Sequence, residues 1–244
     1  MDNLSEDLKI LRLHYTAENK DHLIKNWESE STSPGDILQK LTELELVEKS
    51  RRSTDRRLRS AKLGTFKQMA NFDWSWPEGI NHNQVEKILK LDFMDSKRNV
   101  ILGGAQGLGK SMIAKNLGYQ AVMKGKTVLF TTASKMILDL GSQEGNLALQ
   151  RALKRYESPD LLILDELGYL SFDCKAADFI FEIVNRRYEQ GSMVITTNLA
   201  FRDWGNVFPG AACLTALVDR LTHNAEIVKL TGKSFRMKES VDKS

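Results

Sequence analysis

The sequence predicts an α/β fold built on a mainly parallel central sheet, preceded by a small all-helical domain. Three observations carry that prediction. From residue 98 onward, short apolar and β-branched runs (NVILGG, TVLFTTA, LLILDE, SMVITTN, EIVKL) alternate with helical stretches. The first of these runs leads directly into a glycine-rich loop. Residues 1–62, in contrast, hold one proline and one glycine, adjacent at Pro34-Gly35, with helical periodicity on either side. Alternation of this kind layers helices over a parallel sheet, whose strands read as continuous apolar runs because both faces are covered.

In the N-terminal stretch Leu4, Leu8 and Leu11 recur at helical spacing, and Leu38, Leu41, Leu44 and Val47 repeat every third residue. SPGDIL predicts a helix start, with Ser33 as cap and Pro34 at the first helical position. The segment 49–62, KSRRSTDRRLRSAK, closes this domain with seven positive charges and one negative. The whole chain carries only +3, so the other residues sit near −3. On a helix, Lys49, Arg52, Arg56 and Arg59 share one face. Residues 69–97, with Trp74, Trp76, Pro77 and Gly79, read as a linker with a helix near 83–91. The expected domains are therefore 1–68, the linker 69–97, and 98–244.

The acidic start MDNLSEDLKI lacks an apolar signal segment, and runs such as LLIL are too short to span a bilayer. Cys174 and Cys213 are far apart, and the four histidines show no metal-ligand spacing. A cytoplasmic protein with reduced thiols is expected, without membrane association.

The first strand runs into GAQGLGKS, residues 104–111, which fits G-x-x-x-x-G-K-[ST]. In such a loop the backbone N–H groups of Gly104, Ala105, Gln106, Gly107, Leu108 and Gly109 curl around phosphates. Lys110 neutralises the β and γ oxygens, the Ser111 hydroxyl ligates Mg²⁺, and a helix beginning here, through Met112, adds its positive dipole end. LLILDE then places Asp165 and Glu166 at the end of another buried strand. Asp165 is expected to hold Mg²⁺ through its water shell, and Glu166 to polarise an attacking water. SMVITTN ends in Thr197 and Asn198, polar groups that either cap the sheet or bond the γ-phosphate, with Asn198 the favoured residue. ATP and Mg²⁺ are the expected ligands.

The order GAQGLGKS, LLILDELGYL, ITTN, a tryptophan shortly after, then DRLTH and GKSFR resembles the IstB family over roughly residues 45–240. These are AAA+ helper ATPases of insertion-sequence transposition, related to the DnaC helicase loaders. Ala-Gln stands where the family usually has Pro-Pro, and ITTN replaces ITSN; neither change touches a side chain that phosphate chemistry demands. The resemblance implies a P-loop NTPase of AAA+ type without a C-terminal helical lid. It implies that Arg220 is an arginine finger supplied in trans, where the residues alone equally allow a surface Asp219–Arg220 pair. It further implies Phe72, Trp74 and Ile80 as walls of an adenine pocket, and Arg236 as the late arginine to consider near the phosphates.

Alone, the basic segment reads as a solvated face, a docking site for an acidic protein, or a grip on phosphates. With the resemblance, Lys49, Arg51, Arg52, Arg56, Arg57, Arg59 and Lys62 become candidates for binding double-stranded DNA, in a homo-oligomer that stimulates a partner transposase. Arg151, Lys154 and Arg155 form a second basic cluster that reads first as an exposed helix face. Two rivals remain: a DnaC-like loader acting on a helicase, and a DNA-binding scaffold that keeps ATP without turnover.

Overall fold

The computed structural model describes residues 3–30, 32–76, 78–168, 174–208 and 212–235. The chain divides into two compact units, Met1–Arg56 and Arg57–Ser244.

The first unit holds α1 (Asn3–Ile10), α2 (His14–Ser29) and most of α3 (Pro34–Ala61). Ser33 caps α3 as its sequence predicts: its Oγ accepts the Asp36 N–H at 3.2 Å and donates to the Asp36 carboxylate at 2.7 Å. The Thr16 N–H, near the start of α2, donates to Glu45 of α3 at 2.7 Å. Burial here is sparse. Thr16, Ala17 and Leu23 are buried, whereas Leu4, Leu11, Leu38 and Val47 of the helical repeats are exposed.

The second unit begins with the last turn of α3, whose Ala61 is fully buried. Helix α4 (His82–Leu89) and the single turn α5 (Asp92–Asp95) follow a 3₁₀ turn at Met69–Asn71. Then come β1 (Asn99–Gly104), α6 (Lys110–Met123), β2 (Val128–Thr132), α7 (Ala133–Gly141), α8 (Asn146–Glu157) and β3 (Leu161–Leu167). Next are α9 (Cys174–Arg187), β4 (Ser192–Thr197), the turn α10 (Trp204–Val207), α11 (Leu214–His223) and β5 (Ala225–Leu230). All five predicted strands form, paired in parallel in the order β2-β3-β4-β1-β5. This is the α/β architecture the sequence predicts.

Alternation along the strands divides the core in two. Leu161 and Ile163 of β3 face one way, with Val100, Leu102 and Val194, under α4, α5 and α6. Leu162 and Leu164 face the other way, with Ile101, Met193 and Ile195, under α7, α8, α9 and α11. Val85, Ile88, Leu91 and Phe93, from the stretch read as a linker, are buried in the first of these layers. Trp204, the tryptophan after ITTN, is buried in the second.

One charged side chain closes the lower end of the sheet. Arg187, at the end of α9, is 2% exposed. Its guanidinium donates to the carbonyls of Tyr156, Glu157 and Pro159 through Nη1 and to those of Asp160 and Ser192 through Nη2. It thereby ties the α8–β3 turn to the start of β4, and burial pushes its pKa down to about 10. A side chain on Gly191 would meet the same guanidinium at 2.7 Å. Replacing Arg187 by Met orphans several carbonyls, each costing about 1–3 kcal/mol if left unpaired. The expected result is a loss of roughly 3 kcal/mol or more in urea unfolding, with Arg187→Lys intermediate because an ammonium cannot span both groups of acceptors.

Candidate nucleotide-binding site

The strand order places the C-terminal tips of β3, β4 and β1 side by side, and the glycine-rich loop leaves from the last of them. In this loop Gly107 and Gly109 have φ of +76° and +90°, which side chains rarely adopt. Each is also crowded. A Cβ on Gly107 would lie 2.0 Å from the Ser234 hydroxyl, and one on Gly109 would lie 2.5 Å from the Phe72 ring. The glycines therefore serve packing as well as backbone curvature. Leu108 turns into the core. Lys110 opens α6 and donates to the carbonyls of Gly104 and Ala105 at 2.6 and 2.7 Å.

The two motifs meet at one hydrogen bond. Ser111 Oγ donates to Asp165 Oδ1 at 2.9 Å, linking the start of α6 to the tip of β3. Asp165 is buried, while Glu166 beside it is exposed. Gln106, Gly107, Lys110, Ser111, Glu166, Thr196, Thr197 and Asn198 surround a small cavity of about 60 Å³. A hydroxyl and a carboxylate this close are hard oxygen donors of the kind Mg²⁺ takes when a substrate phosphate supplies the remaining ligands. Among the described residues no cluster of three or more His, Cys, Asp or Glu offers a metal cage.

On the other side of the loop lies a larger cavity of about 220 Å³, lined by Lys67, Asn71, Phe72, Asp73, Trp76, Phe235 and the loop from Gly107 to Met112. Residues 233–235 fold against the loop: the Phe235 N–H donates to the Gly107 carbonyl at 3.0 Å, and the Trp76 indole donates to the Lys233 carbonyl at 2.8 Å. Of the three residues implied as adenine-pocket walls, Phe72 lines this cavity. Trp74 and Ile80 do not; Trp74 stacks edge-on against His82 with ring centres 4.0 Å apart. Trp76 and Phe235 are the other aromatic residues among its described lining. Arg236 lies outside the described residues.

Thr196 is the residue that sequence reasoning passed over. It is buried, accepts the Glu166 N–H at 2.9 Å and donates to Asp165 Oδ1. The signal in the sequence is its place in the run ITTN, two residues before Asn198, with which it lines the small cavity. The hydroxyl of Thr197 instead accepts the Leu199 N–H at 3.1 Å, turning the chain out of β4.

Arg220 is not part of this assembly. It sits on α11 in a crevice with Lys97, Asn99 and Asn224, at the start of β1. The length of β1, about 17 Å, separates it from the loop. Its guanidinium lies 4.9 Å from the Phe181 ring centre, and among the described residues its Nη1 is buried without a hydrogen-bond partner. No Asp219–Arg220 ion pair appears among the described residues.

The basic segment occupies the end of α3. Arg51 pairs with Glu48 and Asp55, and Arg52 with Glu48 and Glu18. Hydrogen bonds from Arg51 and then Arg52 hold the Glu48 carboxyl down to about 2. Arg57 is half-buried, while Lys49, Arg56, Arg59 and Lys62 are exposed. In the second cluster Arg155 pairs with Asp139 at 2.9 Å, joining α8 to α7, whereas Arg151 and Lys154 are exposed. Among the described residues no helix is long and apolar enough to cross a membrane.

If the larger cavity seats a base, Trp76→Ala weakens ATP binding by about 1–3 kcal/mol, the range for stacking a base on an aromatic side chain. Titration with a fluorescent ATP analogue measures this, with Trp74→Ala, outside the lining, expected to stay within about twofold of wild type.

Comparison with known proteins agrees with this geometry. The model of the IstB-like ATP binding protein family matches residues 6–243. The ATP-binding protein of insertion sequence IS5376 from Geobacillus stearothermophilus is 32% identical over 231 residues, covering 94% of this chain and 91% of that protein. That of insertion sequence IS21 from Pseudomonas aeruginosa is 32% identical over 239 residues, covering 98% and 90%. Among solved structures, AMPPCP-bound DnaA from Aquifex aeolicus superposes with a TM-score of 0.57 at 19% identity, over 75% of this chain and 56% of that one, a likeness of fold. With its five-stranded parallel sheet and its loop GAQGLGKS, the chain belongs to the IstB-like family of insertion-sequence ATP-binding proteins.

Proposed function

We propose that this protein hydrolyses ATP with Mg²⁺, assembles on duplex DNA, and assists transposition by selecting target DNA and stimulating a partner transposase. The observation that carries the reading is the convergence of Lys110, Ser111, Glu166 and Asn198 on one cavity at the strand tips, in a chain of this family. In this reading Lys110 leaves the loop carbonyls for the β- and γ-phosphate oxygens. Ser111 and Asp165 hold Mg²⁺, which when bound neutralises charge on the phosphates. Glu166 orients and polarises the attacking water, and Asn198 hydrogen-bonds the γ-phosphate. The base occupies the cavity between Phe72, Trp76 and Phe235.

Arg220 completes the site of a neighbouring subunit. Its place at the far end of β1, away from the loop of its own subunit, supports action in trans. Hydrolysis then depends on assembly, and assembly repeats the basic segment along the DNA. Lys49, Arg56, Arg59 and Lys62 are the cations most available to phosphates, because Arg51 and Arg52 are already engaged with carboxylates.

The test is binding to labelled random-sequence duplex and to single strands, with ATP, ADP or no nucleotide, across a salt series. Duplex should be preferred, ATP required, and affinity should fall steeply with salt. Arg56→Ala and Arg59→Ala should each weaken binding more than Arg51→Ala and shallow the log–log salt slope by about 1. Glu166→Gln should still bind duplex with ATP but release no phosphate. A preference for single strands, with capture of a replicative helicase, would establish the loader instead. Phosphate release unaffected by Glu166→Gln would refute the assigned chemistry.

A further inference from the structure

We infer that Thr196 is the positioning residue that sets both carboxylates of the β3 tip for ATP turnover; this rests on the ATPase reading above. The β3–β4 ladder runs in register from Leu161 to Leu164 and resumes only at Leu167, so Asp165 and Glu166 form a break in the pairing. Within that break Glu166 adopts a left-handed backbone with φ of +62°, a conformation that a non-glycine residue holds only when its surroundings enforce it. The group that enforces it is the Thr196 hydroxyl. In place of a ladder carbonyl, Thr196 Oγ1 accepts the Glu166 N–H at 2.9 Å. The same hydroxyl spends its one proton on Asp165 Oδ1.

One buried hydroxyl thus fixes two neighbouring carboxylates through different atoms, one by its backbone and one by its side chain. The left-handed turn separates their directions: Asp165 points inward to Ser111 and is buried, and Glu166 is exposed at the cavity. Both Ser111 and Thr196 donate to the same oxygen, Oδ1, of Asp165. When Ser111 turns its oxygen to Mg²⁺, Thr196 remains as the donor that keeps Asp165 oriented. Thr196 acts through the two acids and needs no contact with the nucleotide.

The decisive comparison is Thr196→Val, which keeps the shape and deletes the hydroxyl, against Thr196→Ser, which keeps the hydroxyl. Steady-state phosphate release and Mg²⁺ titration of nucleotide binding are measured on both, with the melting temperature as a check on folding. For Thr196→Val, kcat should fall at least 10-fold, Mg²⁺-free ATP affinity should stay within twofold, and the Mg²⁺ needed for half-maximal binding should rise at least threefold. Thr196→Ser should restore each value to within about threefold of wild type. If Thr196→Val does not fold, Thr196→Cys, with a much weaker donor, should show the same losses. A Val or Cys variant with wild-type kcat and Mg²⁺ dependence overturns the inference, as does a Ser variant as defective as Val. A wild type that binds ATP without ever turning it over sinks the ATPase reading; the Mg²⁺ titration then decides Thr196 by itself.

Discussion

The candidate site of the second unit is organised around the hydrogen bond from Ser111 to Asp165. It joins the glycine-rich loop to a strand that carries acids. Neither motif forms a site alone. The bond exists because β3, β4 and β1 are parallel neighbours, so their tips end at the same level. Two apolar layers hold the sheet at that level from either side. At its other end Arg187 pins the turn before β3 to the start of β4, which fixes where β3 begins and hence where its acids emerge. Packing at one end of the sheet thus sets chemistry at the other.

Much of this is legible in the residues. Five strands follow from five apolar runs because burial on both faces demands them. The phosphate loop follows from glycine and lysine spacing, and the α3 start from Ser33 ahead of Pro34. What stayed hidden came from tertiary proximity between distant segments. Nothing local marks Phe235 as a neighbour of Gly107, since 128 positions separate them. Trp76, rather than Trp74, faces the cavity because the turn around Asp73 directs alternate aromatics to different partners. Thr196 stands in the run ITTN beside Asn198, but its role appears only once the β3–β4 break is seen.

Charge illustrates the same limit. Residues 49–62 look uniformly cationic when the segment is cut at Lys49, yet Glu48 stands one position earlier and binds both Arg51 and Arg52. Helical spacing of three and four residues makes those pairs local, so a count of charges overstates the free positive field. In the first unit the same caution applies to hydrophobicity. Leu4, Leu11, Leu38 and Val47 repeat as core leucines would, and all four are exposed. Periodicity reports a helix there, and burial is a separate question.

The nucleotide site and Arg220 occupy opposite ends of one strand. In the proposed function Arg220 therefore serves the site of a neighbouring subunit rather than its own. The most direct test mixes two inactive variants, Lys110→Ala, which spoils the phosphate site, and Arg220→Ala, which spoils the finger. If the account holds, the mixture on duplex DNA releases phosphate at a substantial fraction of the wild-type rate, because Arg220 of one variant serves the intact loop of the other. A mixture as inactive as its components, beside a wild type whose rate per subunit is unchanged by dilution, would contradict it.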